Sequence, residues 1–211
     1  MRLCVFDLDH TLVQTPLDLA AMAVDMRALL ERRCGPLPPR PDRYRVGELI
    51  RWCQAHAPEV EPPLWEVALE HERRAMAVAA LETGAREAIE GARAAGFVTA
   101  VWTNNAREIT AGALARFDLL AALDLVVTRD EMRALKPDPD GWRVIVERFG
   151  PPRDAVVVGD SWVDGVAAAA AGVAFVAYRA KDADLQRWNV TPVARLDELA
   201  ALPDWLRRRP A

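Results

Sequence analysis

The chain is short of lysine, cysteine, histidine and unbroken apolar sequence, and each shortage narrows what it can be. Of 27 basic residues only Lys136 and Lys181 are lysine; the rest are arginine. Cysteine occurs at Cys4, Cys34 and Cys53, widely spaced and with no Cys-x-x-Cys. That spacing argues against a disulfide framework or a zinc site and suits reduced thiols. His10, His56 and His71 lack ligand spacing. No apolar run reaches the roughly 18 residues of a membrane span. Asp7 and Asp9 stand where a signal peptide needs its apolar stretch, so a cytoplasmic protein is expected. No Gly-x-x-x-x-Gly-Lys-Ser/Thr occurs, which excludes a P-loop nucleotide site. Ser161 lacks the second glycine of a serine nucleophile elbow. A net charge of −4 gives no general attraction to nucleic acid polymers or anionic membranes.

What is present is a chain of 211 residues, 52% apolar, long enough for one domain with a sizeable insertion. Short apolar runs end abruptly in polar residues. Leu3–Phe6 runs into Asp7, Phe97–Trp102 into Thr103, Leu125–Val127 into Thr128 and Ala155–Val158 into Gly159-Asp160; Val173–Ala177 is a fifth run. Such runs read as buried strands of a parallel sheet. Helical periodicity fills the gaps, as in 85–95, where Ala88, Ile89, Ala92 and Ala95 share a face. Alternation at this spacing predicts a Rossmann-like α/β core, a parallel sheet flanked by helices. The expected core comprises residues 1–14 and 83–211. Residues 15–82 read instead as an all-helical cap inserted after the first strand, with helices near 17–33, 44–56 and 64–81 and no strand. Eight of the fifteen prolines punctuate that segment. The closing Arg207-Arg208-Arg209 reads as a solvated tail.

In an open parallel sheet, ligands bind beyond the carboxyl ends of the strands. Polar groups expected to converge there are Asp7 and Asp9, Thr103 and Asn104, Lys136, and Asp160, Ser161 and Asp164. Several carboxylates in a small volume repel unless a cation compensates them. All-oxygen ligation without histidine or cysteine suits a hard ion, Mg²⁺ above all. With a hydroxyl and a lysine opposite, the set describes a pocket for a metal-bridged phosphoryl group. A chain that uses arginine almost everywhere keeps lysine at 136, where a compact point charge fits better than a planar guanidinium.

Asp7-Leu8-Asp9-His10-Thr11 resembles the DxDxT signature of the haloacid dehalogenase-like superfamily. Thr103-Asn104, Lys136-Pro137 and Gly159-Asp160 through Asp164 resemble its second, third and fourth motifs, in the family's order. A helical insertion between the first two resembles a type 1 cap, and the layout is closest to the phosphoglycolate phosphatase branch. The resemblance implies Asp7 as nucleophile and Asp9 as acid and then base. It implies Mg²⁺ held by Asp7, the Asp9 carbonyl, Asp160 and Asp164, with Thr103, Asn104 and Lys136 on the phosphate. Thr11 would orient the loop. Asp164 either ligates the metal or caps a helix. His10 stands where this branch favours glycine, and is a loop residue or one that touches substrate.

The resemblance also separates chemistries. Dehalogenases of the family lack a carboxylate at the position of Asp9, and phosphonate-cleaving members need a cap lysine, absent from 15–82. A β-phosphoglucomutase-type mutase shares the aspartate pair and stays the alternative: the cap offers Arg43, Arg45 and Arg51 for a second phosphate, though not the lysine those enzymes use. A response-regulator receiver lacks both the insertion and the late Gly-Asp-x-x-x-Asp. The expectation is a Mg²⁺-dependent hydrolase of a small soluble phosphomonoester: phosphoglycolate, a sugar phosphate or a nucleoside monophosphate.

Overall fold

A computed structural model describes residues 1–209. The chain divides into two compact units, one of Met1–Gln14 with Ala80–Ala211 and the other of Thr15–Ala79.

The first unit is built on β1 (Arg2–Phe6), whose Leu3, Cys4, Val5 and Phe6 are fully buried. A strand this apolar on both faces belongs in the middle of a parallel sheet. After β2 (Val13–Gln14) and β3 (Ala80–Leu81) come β4 (Phe97–Trp102), β5 (Leu125–Val127), β6 (Asp154–Gly159), β7 (Ala174–Tyr178) and β8 (Ala194–Leu196). The main sheet runs β5-β4-β1-β6-β7-β8, all parallel, with Val5 opposite Ala100 on one side and Val157 on the other. β1 therefore lies between β4 and β6, where the strand order reverses. In sheets of this order, ligands bind at that point, beyond the carboxyl ends of the strands.

Within this unit the helices include α4 (Ala85–Ala94), α5 (Arg107–Arg116), α6 (Asp140–Phe149), α7 (Trp162–Ala170), α8 (Asp182–Arg187) and α9 (Leu202–Arg208); the numbers α1 to α3 belong to the other unit. On α4 the buried stripe is Ala85, Ala88, Ile89 and Ala92, with Ile89 alone worth about 1.5–3 kcal/mol of burial. Small residues let helix and neighbour approach closely: a Cβ on Gly91 would overlap the Pro203 ring of α9.

The second unit holds α1 (Leu19–Cys34), α2 (Val46–His56) and α3 (Glu61–Ala77). Asp18 caps α1, its Oδ1 accepting from the Ala20 and Ala21 N–H groups at 2.9 Å each. Met22, Met26, Leu30, Leu49, Leu64 and Ala68 form the buried interior. His71 Nε2 meets Asp25 Oδ2 at 2.8 Å between α1 and α3, while His56 Nδ1 lies 2.9 Å from the Trp52 carbonyl. Both histidines are thus engaged locally.

Three details depart from expectation. The third helix ends at Ala77, and Ala80–Leu81 pairs antiparallel with Val13–Gln14, so the segment read as strandless does contain a strand. Two residues carry no periodicity, and pairing alone makes them a strand. An additional main-sheet strand, β8, is Ala194-Arg195-Leu196, in which an arginine interrupts what would otherwise read as an apolar run. Finally, Arg207 and Arg208 finish α9, and Arg209 donates through Nε and Nη2 to Asp154 Oδ1 at 2.9 and 2.8 Å. That end is a docked helix on which Arg207 and Arg208 stay exposed, as read, while Arg209 is not solvated but paired.

Candidate functional site

Asp7 follows β1 directly, and its N–H donates to the Val158 carbonyl at 2.9 Å, prolonging the ladder to β6 by one residue. The chain then turns sharply. The Leu8 carbonyl accepts from the N–H groups of Thr11, Leu12 and Val13, which folds residues 8–13 into a tight loop and places Asp9 on it. His10 takes φ +57° in this loop. That left-handed conformation favours glycine and explains the family preference at this position. The exposed His10 ring lies 3.3 Å from Gln14 Oε1. Thr11 is fully buried, and its hydroxyl has no hydrogen-bond partner among the described residues. The loop is therefore held through its backbone, not through that side chain.

Asp160 and Asp164 come from the other neighbour of β1. Gly159 ends β6, Asp160 follows it, and Asp164 sits in the first turn of α7. A Cβ on Gly159 would come within 2.5 Å of the Asp164 carboxyl carbon, so only glycine lets that carboxylate swing in. Asp164 does two jobs. Its Oδ2 accepts from the Ser161 N–H at 3.2 Å and the Ser161 hydroxyl at 2.7 Å, capping α7. Its Oδ1 accepts from Lys136 Nζ at 2.5 Å.

Lys136 reaches the same point from the loop between β5 and α6, and it is buried. Besides Asp164, Nζ donates to Asp7 Oδ1 at 2.6 Å and to the Trp102 carbonyl at 2.8 Å. An ammonium has three hydrogens, and here each has a protein acceptor. Asn104 brackets the main chain of this lysine: its Oδ1 accepts from the Lys136 N–H at 2.8 Å, and its Nδ2 donates to the Lys136 carbonyl at 3.0 Å. Thr103 is buried after β4, its hydroxyl accepting from the Asn105 N–H at 3.2 Å.

The structure thus draws Asp7, Asp160, Asp164 and Lys136 into one cluster. One carboxylate oxygen from each of the three aspartates lies within 4.8 Å of the others. Asp9 stands on the adjoining loop, bonded to a residue not singled out from the sequence: Asn105 Nδ2 donates to Asp9 Oδ2 at 2.6 Å. The one sequence signal of Asn105 was adjacency to Thr103-Asn104, which cannot say where its amide points.

Charge in the cluster is unbalanced. Burial pushes the Asp7 carboxyl up, Lys136 opposes this, and repulsion from Asp164 and Asp9 adds to it, leaving Asp7 at about 7. Burial likewise raises Asp160, with the charges of Asp164 and Asp7 adding, to about 8. Lys136 is held protonated despite its burial because Asp164 and Asp7 face it. One lysine cannot offset three clustered carboxylates, two of them buried and Asp160 half-buried, and the missing charge is positive. An all-oxygen donor set of this compactness fits a hard divalent cation such as Mg²⁺ and offers nothing to a soft one.

Known proteins resemble this chain in sequence and in fold. The sequence profile of the haloacid dehalogenase-like hydrolase family matches residues 1–172. A phosphoglycolate phosphatase of Nitrosospira multiformis is 33% identical over 186 residues, covering 82% of this chain and 80% of that protein. The pyrophosphatase PpaX of Bacillus velezensis is 28% identical over 186 residues, covering 80% of this chain and 78% of the relative. Among solved structures, a hydrolase from Pseudomonas syringae superposes over the full length of both chains with a TM-score of 0.72 at 20% identity, a likeness of fold.

Proposed function

The chain belongs to the haloacid dehalogenase-like hydrolase family and is a phosphatase of that family, and we propose that it hydrolyses a small soluble phosphomonoester by way of an aspartyl-phosphate on Asp7. The observation that carries this reading is the convergence of Asp7, Asp160 and Asp164 around Lys136, at the end of the central strand.

Asp7, Asp160, Asp164 and the Asp9 carbonyl would hold Mg²⁺, which when bound supplies positive charge where phosphate and carboxylate meet. The Asp7 carboxylate attacks phosphorus, the bond from phosphorus to the ester oxygen breaks, and Asp9 gives that oxygen its proton. Asp9, now ionised, takes a proton from water as the water attacks the aspartyl-phosphate. The bond from Asp7 to phosphorus breaks, inorganic phosphate leaves, and both aspartates return to their starting states. Lys136 contributes its charge beside the nucleophile and keeps the Asp7 oxygen aimed. Asn104 fixes the peptide of Lys136 and has a second amide hydrogen for a phosphoryl oxygen. Thr103 supplies a hydroxyl to the same end.

Residues 15–79, the second unit, take the part of the cap and choose the substrate; Ala80–Leu81 pair with Val13–Gln14 and go with the core. Phosphoglycolate is the first candidate, since the relative from Nitrosospira multiformis carries that name; sugar phosphates and nucleoside monophosphates follow. A partner of this kind needs neither a nucleic acid polymer nor a membrane. Among the described residues no helix is long and apolar enough to cross one, and a cytoplasmic setting suits a soluble ester.

The test is phosphate release from phosphoglycolate, sugar phosphates, nucleoside monophosphates and pyrophosphate, with Mg²⁺ and with excess chelator. The expected result is chelator-sensitive release from one or two esters. Conversion of glucose 1-phosphate to an isomer without phosphate release would replace hydrolysis by mutase chemistry.

A further inference from the structure

We propose that Asn105 is the positioning residue for Asp9, selecting which carboxylate oxygen exchanges the proton; this rests on the reading of Asp9 as acid and base. Asn105 Nδ2 donates to Asp9 Oδ2 at 2.6 Å, a contact between residues 96 apart in sequence. The asparagine is itself anchored. It is buried, its N–H donates to Thr103 Oγ1 at 3.2 Å, and its carbonyl accepts from the Arg129 N–H at 3.1 Å. Thr103 in turn is tied to β5 through the Val127 carbonyl at 3.0 Å. A rigid strand end therefore stands behind the amide.

The need for such an anchor follows from geometry. The terminal torsion of an aspartate is broad and two-fold, so an untethered carboxylate presents either oxygen in several orientations. Proton transfer requires one oxygen within about 2.6–3.2 Å of the leaving atom. An amide N–H against Oδ2 assigns the transferable proton to Oδ1 and sets the plane in which it is offered. Asp9 sits on a loop that Thr11 does not brace through its hydroxyl, and Asn105 supplies that bracing from outside the loop. The adjacent asparagines divide the work: Asn104 holds Lys136, and Asn105 holds Asp9.

The experiment compares phenyl phosphate with 2,4-dinitrophenyl phosphate on the full chain in Mg²⁺. The first leaving group needs a proton, and the second departs without one. For Asn105→Ala the expected phenyl phosphate kcat is lower by about 10–100-fold with KM little changed. The pre-steady-state burst of dinitrophenolate should stay within about 3-fold, since only the step on Asp7 sets it. Asn105→Asp keeps the size of the side chain but replaces the donor with an acceptor, and should show the same selectivity with the thermal midpoint retained. Equal losses on both esters, or none on either, in the folded variants would overturn the proposal. Asp9→Asn, run alongside, isolates the premise. If it too loses nothing selectively on phenyl phosphate, the assignment of Asp9 as acid fails; if it alone is selective, the role of Asn105 fails.

Discussion

The two ends of β1 and β6 carry charge in opposite ways. At the amino end, Arg2 Nε reaches Asp154 Oδ2 at 3.2 Å, and Arg209 reaches Asp154 Oδ1 at 2.8 Å. Two guanidiniums serve one carboxylate. At the carboxyl end, one ammonium serves Asp7 and Asp164 with Asp160 alongside. Burial tends to raise Asp154, but the hydrogen bonds and charge of Arg209 and Arg2 outweigh it, and the carboxyl ends below its ordinary range. Burial raises Asp7 and Asp160 too, and one lysine cannot reverse it. A compensated cluster holds the fold together. An undercompensated one is held by the fold, in a state that a cation or a phosphate would change.

Asp7→Asn breaks this contrast most strongly. Turnover should fall about 10,000-fold or more, while the thermal midpoint holds or rises, because one of the crowded carboxylates is gone. Retained turnover in a phosphate-release assay would remove Asp7 as nucleophile. Lys136→Ala should fail on both counts, with activity lost and stability lowered by about 3–5 kcal/mol, since two buried carboxylates lose their shared cation. Denaturant titration of the variant, beside its activity per folded molecule, checks both. At the other end, Asp154→Ala should lower stability by about 1–3 kcal/mol and leave kcat unchanged; an altered kcat would mean the ends are not independent.

The pH dependence separates the ends by sign. Asp7 and Asp160 have raised values, so the folded protein keeps protons that the unfolded chain releases above its ordinary carboxylate pKa of about 4. Their favourable contribution is present below that value and is lost as pH rises toward about 8. Asp154 is lowered, so its contribution is present above the ordinary value and is lost as pH falls below it. Thermal midpoints of metal-free protein should therefore decline between pH 5 and 8, and added Mg²⁺ should restore more at pH 8 than at pH 5. A flat profile in both conditions would remove the undercompensated cluster. Smallest is Gly159→Ala, which crowds Asp164: stability should fall by about 1–3 kcal/mol, and the response to Mg²⁺ should weaken.

The main strands were legible because each is an apolar run that ends in polar residues, a signal that survives without neighbours. β2, β3 and β8 were not, since Val-Gln, Ala-Leu and Ala-Arg-Leu form no such run and exist as strands only through their partners. Arg209 shows the same limit: a terminal arginine reads as solvated until Asp154 is found opposite it. In the site, residue types and order pointed to Asp7, Asp160, Asp164 and Lys136 together. Which atoms each side chain occupies did not follow. Lys136 turns all three donors inward, and Asp164 divides its oxygens between a helix cap and the lysine.

By itself, then, the sequence determined the kind of chemistry, since residue type sets charge, hardness and acidity, and the alternation of runs sets a parallel sheet. Tertiary structure alone decided who compensates whom. The pairing of Asp7 with Lys136 spans 129 residues and that of Asp9 with Asn105 spans 96. Contacts at such separations arise from strand order and loop path, which local sequence does not encode; they decide whether a buried carboxylate is satisfied or left poised to react.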